Sequence, residues 1–235
     1  MRALRIILIL VVVLGGLFVA ADRLAVNLAE KKAAEKIQSS QGLPGTPKVS
    51  IKGFPFLTQV ISKKFGEVDL ELDGIEHEAA GHTIRVSSLS ARLSDVRIGG
   101  DFSSATAERA TGTALIGYDD LTKAADENVT LGYGGKNKDG KGQVKVTANV
   151  PLPLGQSFEH SVVSTVSVSG SHTVRLRAVA IPASQIPGLE DMVREKIDMD
   201  SKIGGLPEEL SLESVNATKD GIELTVSGKG VKLAG

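Results

Sequence analysis

Alternation of apolar and polar residues runs through most of the sequence and constrains its fold more than any other feature. Val68, Leu70 and Leu72 alternate with acidic residues. The same pattern returns in four later segments, at residues 144–150, 162–168, 174–178 and 222–226. Successive side chains of a strand point to opposite faces, so this period predicts half-buried strands with one apolar face.

The alternation changes phase twice within residues 83–98. Ile84 and Val86 share one phase, and Val96 and Ile98 return to it. Between them the opposite phase holds three residues, Leu89, Ala91 and Leu93. A one-residue slip reverses the facing of a strand, so a continuous strand needs bulges near 87–88 and 94–95.

A strand of about sixteen residues would be about 50 Å long. Such a length favours a sheet that curls around something, although separate short strands, broken at the slips, are the alternative. Residues 213–214 carry a similar slip. Arg92 lies in the phase opposite to Leu89 and Leu93, and we expect it in solvent.

The N-terminus carries an export signal or an anchor. Arg2 and Arg5 precede an uncharged apolar run at residues 6–21. At the rise of a helix this run spans about 24 Å, less than the roughly 30 Å hydrocarbon core of a bilayer. Small residues before Asp22 fit a signal-peptide cleavage site. A cleaved signal and an uncleaved anchor at residues 4–21 both remain open, and either predicts an exported chain.

Residues 22–235 are therefore interpreted as a single domain, which begins with a long helix at residues 22–40. Asp22 is expected to cap this helix, whose apolar stripe is narrow and comprises Val26, Ala29, Ala33 and Ile37. A stripe with so little apolar surface needs close packing. Shorter helices are predicted at residues 57–65, 118–125 and 187–197. The first would carry Leu57, Val60 and Ile61 on one side.

Composition removes several classes of function. The chain has no Cys, which excludes disulfides, thiolate catalysis and cysteine–metal sites. Its 27 Lys and Arg residues balance 28 Asp and Glu residues, which argues against a nucleic-acid partner. Aromatic residues make up only 3% of the chain, so platforms for stacking bases are not expected.

Motifs of catalysis and metal binding are incomplete. Residues 135–142 resemble a phosphate-binding loop, but Gly142 stands where a hydroxyl should hold magnesium. His77 and His82 are five residues apart, so they would lie on different sides of a helix. Both segments are better interpreted as hairpin turns. We therefore expect no enzymatic activity, no metal and no cofactor.

One block is more specific than any of these motifs. It reads Gly53-Phe54-Pro55-Phe56-Leu57-Thr58-Gln59-Val60, and Phe65-Gly66-Glu67-Val68 and Asp73-Gly74-Ile75 follow it. The block resembles the LmeA-like phospholipid-binding family of actinobacterial cell-envelope proteins. Weaker likenesses at residues 107–121 and 205–228 extend the resemblance over residues 22–233.

The resemblance implies an α+β fold of the tubular lipid-binding kind, similar to the bactericidal/permeability-increasing protein superfamily. In that fold a long, curved antiparallel sheet wraps around a long helix and encloses an apolar tunnel. The implied partners are a phospholipid or another acyl lipid and the membrane surface. The implied place is the cell envelope, with a role in lipoglycan or envelope assembly. The alternative is a structural β-rich module with a closed core, which acts through surface contacts with proteins.

Candidate lipid-binding residues are the apolar side chains of the block, the long helix and the inward strand phases. An apolar lining can hold acyl chains, because burial stabilises each methylene by about 0.8 kcal/mol. Phe54 and Phe56 flank Pro55, and either both rings face inside or one touches the bilayer. The full set is Phe54, Phe56, Leu57, Val60, Ile61, Leu70, Leu72, Leu89, Ala91, Leu93, Ala33 and Ile37.

Overall fold

The computed structural model describes residues 2–79, 82–100, 104–125, 128–151, 157–180, 194, 197–204 and 206–234. The helix predicted at residues 187–197 lies almost entirely outside the described residues. Three helices are described: α1 (Arg2–Gln41), α2 (Phe56–Ser62) and α3 (Tyr118–Ala124). The strands are β1 (Lys48–Lys52), β2 (Lys64–Ala79), β3 (His82–Ile98), β4 (Ala105–Ile116), β5 (Val129–Lys136), β6 (Gly142–Pro151), β7 (Ser157–Val168), β8 (Thr173–Ala180), β9 (Met199–Lys202), β10 (Leu210–Ala217) and β11 (Ile222–Ala234).

The strands form two sheets. One has six strands in the order β1-β2-β3-β4-β11-β10, and the other has five in the order β5-β6-β7-β8-β9. The strand pairs with a described register are antiparallel. The predicted α+β class is therefore confirmed: a long N-terminal helix precedes antiparallel sheets, consistent with a helix and a curved sheet.

The phase slips are accommodated inside continuous strands. β3 runs unbroken for 17 residues. The exposed residues of β3 change phase as the sequence predicts. Arg85 is exposed in one phase, and Ser90 and Arg92 are exposed in the other. Asp95 and Arg97 are exposed in the first phase again. Asp95 also has a positive φ of 54°. In β10 the register with β11 shifts between Leu212 and Ser214. The alternative of separate short strands at residues 83–98 is wrong, because β3 continues through both slips without a break.

The two incomplete motifs, at residues 135–142 and at His77 and His82, lie in strands and in the connections between strands. β5 and β6 pair antiparallel on either side of residues 137–141, which confirms the predicted hairpin. His77 belongs to β2 and His82 begins β3, so no helix holds them.

The prediction that a helix starts at Asp22 is wrong. α1 is a single helix of 40 residues, and Asp22 lies in its middle. Gly15 and Gly16 do not break it, because a helical glycine costs only about 1 kcal/mol and the neighbouring Leu14 and Leu17 are good helix formers. The apolar run and the amphipathic helix are thus one element.

The first short helix also differs from its prediction. α2 ends at Ser62, and Lys63 adopts the left-handed conformation with φ 54° before β2 begins at Lys64. Residues 63–65 therefore turn into a strand. Ile61 does not share the packed side of α2 with Leu57 and Val60, since it is exposed to solvent. α3, in contrast, begins at Tyr118 as predicted.

The described chain divides into two compact units. Unit 1 comprises Met1–Leu72, Ala91–Ala110 and Lys229–Gly235. Its buried apolar residues come from α1, α2 and the strands, and they are Val26, Ala34, Val49, Phe56, Leu93, Val96, Ala107, Ala110 and Val231.

Unit 2 comprises Asp73–Ser90 and Thr111–Gly228. Small β-branched residues and alanines dominate its core, which consists of Val144, Val146, Val162, Ala178, Ile197 and Ala217. Tyr118 packs against this core and donates its hydroxyl hydrogen to the carbonyl oxygen of Thr218 at 2.8 Å. Burial raises the pKa of Tyr118 to about 12, with a smaller contribution from Tyr133, so its phenol remains a donor.

Candidate functional site

Ion pairs cover one face of β1, β2 and β3 in unit 1. Lys48 pairs with Glu71 at 2.9 Å, and Arg92 pairs with Asp69 at 2.8 Å and with Glu67 at 3.6 Å. The hydrogen bond from Arg92 holds the pKa of Asp69 below its ordinary value, so the pair stays charged at neutral pH.

These pairs fix which side chains lie on the opposite face. Side chains alternate along a strand, so the residues between the charged ones point the other way. Val49 is opposite Leu70 in the register of β1 and β2. Leu70, Leu72, Ala91 and Leu93 therefore belong to the apolar face, as the sequence predicts.

α1 is attached to the rest of unit 1 by three polar residues spaced eight apart. The Asp22 carboxylate accepts the N–H of Leu57 at 2.9 Å. Glu30 accepts the N–H of Ile51 at 2.7 Å, and Gln38 accepts the hydroxyl hydrogen of Thr46 at 2.8 Å. Between them Val26 and Ala34 are buried, while Ala33 and Ile37 are half-buried. The predicted apolar stripe is present, but the three hydrogen-bonded polar residues lie among its apolar residues.

Asp22 acts as a cap for α2 rather than for α1. Its side chain is fully buried. α2 follows Pro55, which offers no side-chain acceptor to the first N–H groups of the helix. The carboxylate of Asp22 supplies the missing acceptor from another element. This contact places α2 directly beside the first turn of α1 that follows the apolar run.

Gln59 closes the turn that leads into α2. Its amide nitrogen donates to the carbonyl oxygen of Lys52 at 3.2 Å, and its side-chain oxygen accepts the N–H of Gly66 at 3.1 Å. Gly53 has a positive φ of 98°, and a Cβ there would press on the Gln59 amide. The Gly-Phe-Pro-Phe-Leu-Thr-Gln block thus forms a compact, hydrogen-bonded connection between β1, α2 and β2.

The two phenylalanines of the block have different surroundings. Phe56 is buried, and the centroids of its ring and the Phe65 ring are 6.2 Å apart. Phe54 is exposed, and the guanidinium carbon of Arg23 lies 5.0 Å from its ring centroid. A cation over an aromatic face is an attractive contact. One ring therefore serves the core, and the other faces outward beside α1.

The structure brings eleven of the twelve candidate lipid-binding residues into unit 1 and leaves Leu89 in unit 2. Phe56 and Leu93 are buried, while Phe54 and Ile61 are exposed. The other eight are half-buried: Leu57, Val60, Leu70, Leu72, Leu89, Ala91, Ala33 and Ile37. Partly covered apolar side chains are the kind that acyl chains contact.

The N-terminal half of α1 is apolar on all sides and exposed along its length. α1 is long and apolar enough to cross a membrane, by length and composition. The exposed apolar side chains continue past the apolar run, to Leu24 and Leu28. This segment is compatible with a signal sequence or an anchor.

Within the part of the chain that the structure describes, no group of three or more His, Asp or Glu side chains could hold a metal ion. One cleft of about 340 Å³ is lined by Asp95, Arg97, Thr106, Glu108 and Gly230. Its charged lining suits ions and water better than acyl chains.

Sequence reasoning missed Asp22, Arg23 and Gln59 as parts of this site. A signal for Asp22 was present, because a short helix that starts after Pro55 has no capping side chain of its own. The acceptor for the first N–H groups of such a helix must come from elsewhere in the chain. The partner's identity depends on tertiary contact, since Asp22 and Leu57 are 35 residues apart in sequence.

The fold and this site define an α+β protein in which an apolar N-terminal helix continues directly into a packed, β-rich unit. The family model described as LmeA-like phospholipid-binding matches residues 20–227, so the chain belongs to the LmeA-like phospholipid-binding family. The resemblance seen in the sequence is thereby confirmed. Comparisons with curated proteins and with solved structures found no match.

Proposed function

We propose that this protein is a non-catalytic phospholipid binder of the cell envelope, held at a membrane by the N-terminal half of α1. Membership of a phospholipid-binding family carries the proposal. The continuous helix that joins an exposed apolar segment to unit 1 supports the membrane location.

The proposed lipid site is the apolar side of unit 1, forming a tunnel for acyl chains. Half-buried apolar residues from three sources supply its contacts: Leu57 and Val60 on α2, Leu72 and Ala91 on the strands, and Ala33 on α1. Each methylene that such a surface removes from water contributes about 0.8 kcal/mol. The charged side chains of β1 to β3 pair on the other face, so recognition rests on the acyl chains.

The uncleaved anchor is the proposed form of the N-terminus. A cut before Asp22 would fall inside a continuous helix and would leave Asp22, which caps α2, at a free chain end. The anchored chain would present unit 1 on the outer side of the membrane. There a phospholipid binder can support envelope or lipoglycan assembly without chemical change to the lipid.

Filling the proposed site tests this function. We expect Ala33→Leu to lower the amount of fluorescent phosphatidylglycerol bound by the full chain in mild detergent, with little change in melting temperature. Ser39→Leu adds similar bulk at an exposed position of α1 without changing the charge, and it should bind as the parent does.

Three results would oppose the proposal. Unchanged binding by Ala33→Leu would remove α1 from the lipid site. A loss of about 1–3 kcal/mol in stability, typical of an overfilled core, would show that this position is closely packed. If the parent bound no phospholipid at all, a structural module that acts through surface contacts would be the better account.

A further inference from the structure

Large apolar side chains are exposed where α1 enters unit 1. Leu24 is 71% exposed and Leu28 is 61% exposed, on the side of α1 away from Asp22. Phe54 is 57% exposed and Ile61 is 83% exposed, on and beside α2. We call these four residues the collar. Isolated apolar residues are ordinary on a surface, so the case for a contact site rests on the level at which these four residues lie along α1.

The collar lies at a defined height above the apolar run. At 1.5 Å per residue, Leu24 lies about 4.5 Å and Leu28 about 10 Å beyond Ala21 along α1. Phe54 lies 5.0 Å from the guanidinium of Arg23, which belongs to the same helical turn as Leu24. The headgroup layer on each side of a bilayer is about 5–8 Å thick. The lower part of the collar is therefore level with that layer when the apolar run crosses the hydrocarbon core.

Ile61 lies within about one helical turn of the same level, because α2 connects it to Asp22. The N–H of Leu57 is bonded to Asp22, the first residue after the apolar run. Ile61 follows Leu57 by one helical turn, which is about 6 Å along α2. The exposed Lys64, two residues after the end of α2, adds a cation close in sequence to Ile61, as anionic headgroups favour.

We propose that the collar inserts into the interfacial layer of a phospholipid bilayer, so that α2 lies on the membrane surface beside α1. The inference rests on the proposed anchoring by α1 and adds a second contact to it. Continuity with the apolar helix selects a bilayer as the occupant. Short amphipathic segments bind in this way when apolar side chains enter the boundary between headgroups and acyl chains. The insertion places Leu57 and Val60, the half-buried residues of α2, next to the lipids that unit 1 would receive.

Tryptophan fluorescence in vesicles tests the collar directly. The chain has no Trp, so a single substitution gives one emitting group. The full chain, as Phe54→Trp or as Ile61→Trp, is reconstituted in phosphatidylcholine vesicles and in vesicles whose acyl chains are brominated. Leu10→Trp marks the apolar run, and Ser40→Trp marks a position about 27 Å beyond Asp22 along α1.

The proposal predicts that brominated lipid quenches Phe54→Trp and Ile61→Trp, with a loss of emission approaching that of Leu10→Trp, while Ser40→Trp keeps its emission. If Leu10→Trp is quenched but both collar variants behave as Ser40→Trp does, the collar proposal is overturned and the anchor stands. If Leu10→Trp is not quenched either, anchoring by α1 fails, and the collar proposal fails with it. Phospholipid binding by unit 1 is measured separately and is not decided by this result.

Discussion

At the scale of single residues, Asp22 determines how the Gly-Phe-Pro-Phe block is used. Its carboxylate is buried and holds the N–H of Leu57, which fixes α2 against α1. With α2 held there, Phe56 packs in the core and Phe54 is exposed beside Arg23. The alternation of Phe54 and Phe56 in the sequence could not decide which ring is buried, because that choice depends on a distant residue.

Removing this cap should loosen α2. We expect Asp22→Ala to lower the melting temperature of the full chain by a few degrees, since a buried N–H would lose its acceptor. Asp22→Asn keeps a side-chain oxygen and should lose less. Circular dichroism in mild detergent measures both variants.

Asp119→Ala is the matched control, because Asp119 is an exposed acidic residue in the first turn of another short helix, α3. Equal melting temperatures for Asp22→Ala and Asp119→Ala would show that the Asp22 contact does not hold α2.

At the scale of elements, strands were predictable and helix contacts were not. The phase slips of β3 and β10 could be found from the sequence because alternation is a local property of each strand. The length of α1 and the end of α2 were predicted wrongly. The end of a helix depends on which partners compete for its terminal backbone groups. Here α1 continues through Asp22, whereas α2 ends at Ser62, and the left-handed conformation of Lys63 leads the chain into β2.

Close approach of strands in unit 2 gives an element-scale prediction. A Cβ at Gly142, at the start of β6, would collide with the backbone of Ala217 at the end of β10. Gly142→Ala should therefore push the two strands apart and destabilise the protein by about 1–3 kcal/mol. Chemical denaturation followed by circular dichroism gives this difference.

Gly132→Ala is the control for that measurement, since nothing lies within 4 Å of a Cβ at Gly132 in β5. We expect its stability to stay close to that of the parent. If Gly142→Ala were as stable as Gly132→Ala, the two strands would not be as close as the structure shows.

At the scale of the whole molecule, fold class and family could be inferred from the sequence, because the specific block and the strand pattern agree with each other. Eleven of the twelve apolar residues proposed from the sequence, among them Ala33 and Leu93, also fall in unit 1. The sequence could not reveal the collar, since exposure of Leu24, Leu28 and Ile61 is known only once their elements are packed. An apolar residue in a sequence looks the same whether it enters a core or a membrane.

Native mass spectrometry of the full chain, extracted from membranes in mild detergent, tests the central claim most directly. The account predicts that the 24.6 kDa chain carries bound phospholipid that survives the extraction. It also predicts that Ala33→Leu carries less of this lipid than Ser39→Leu. A parent chain that is folded and lipid-free under the same conditions would contradict phospholipid binding by this protein.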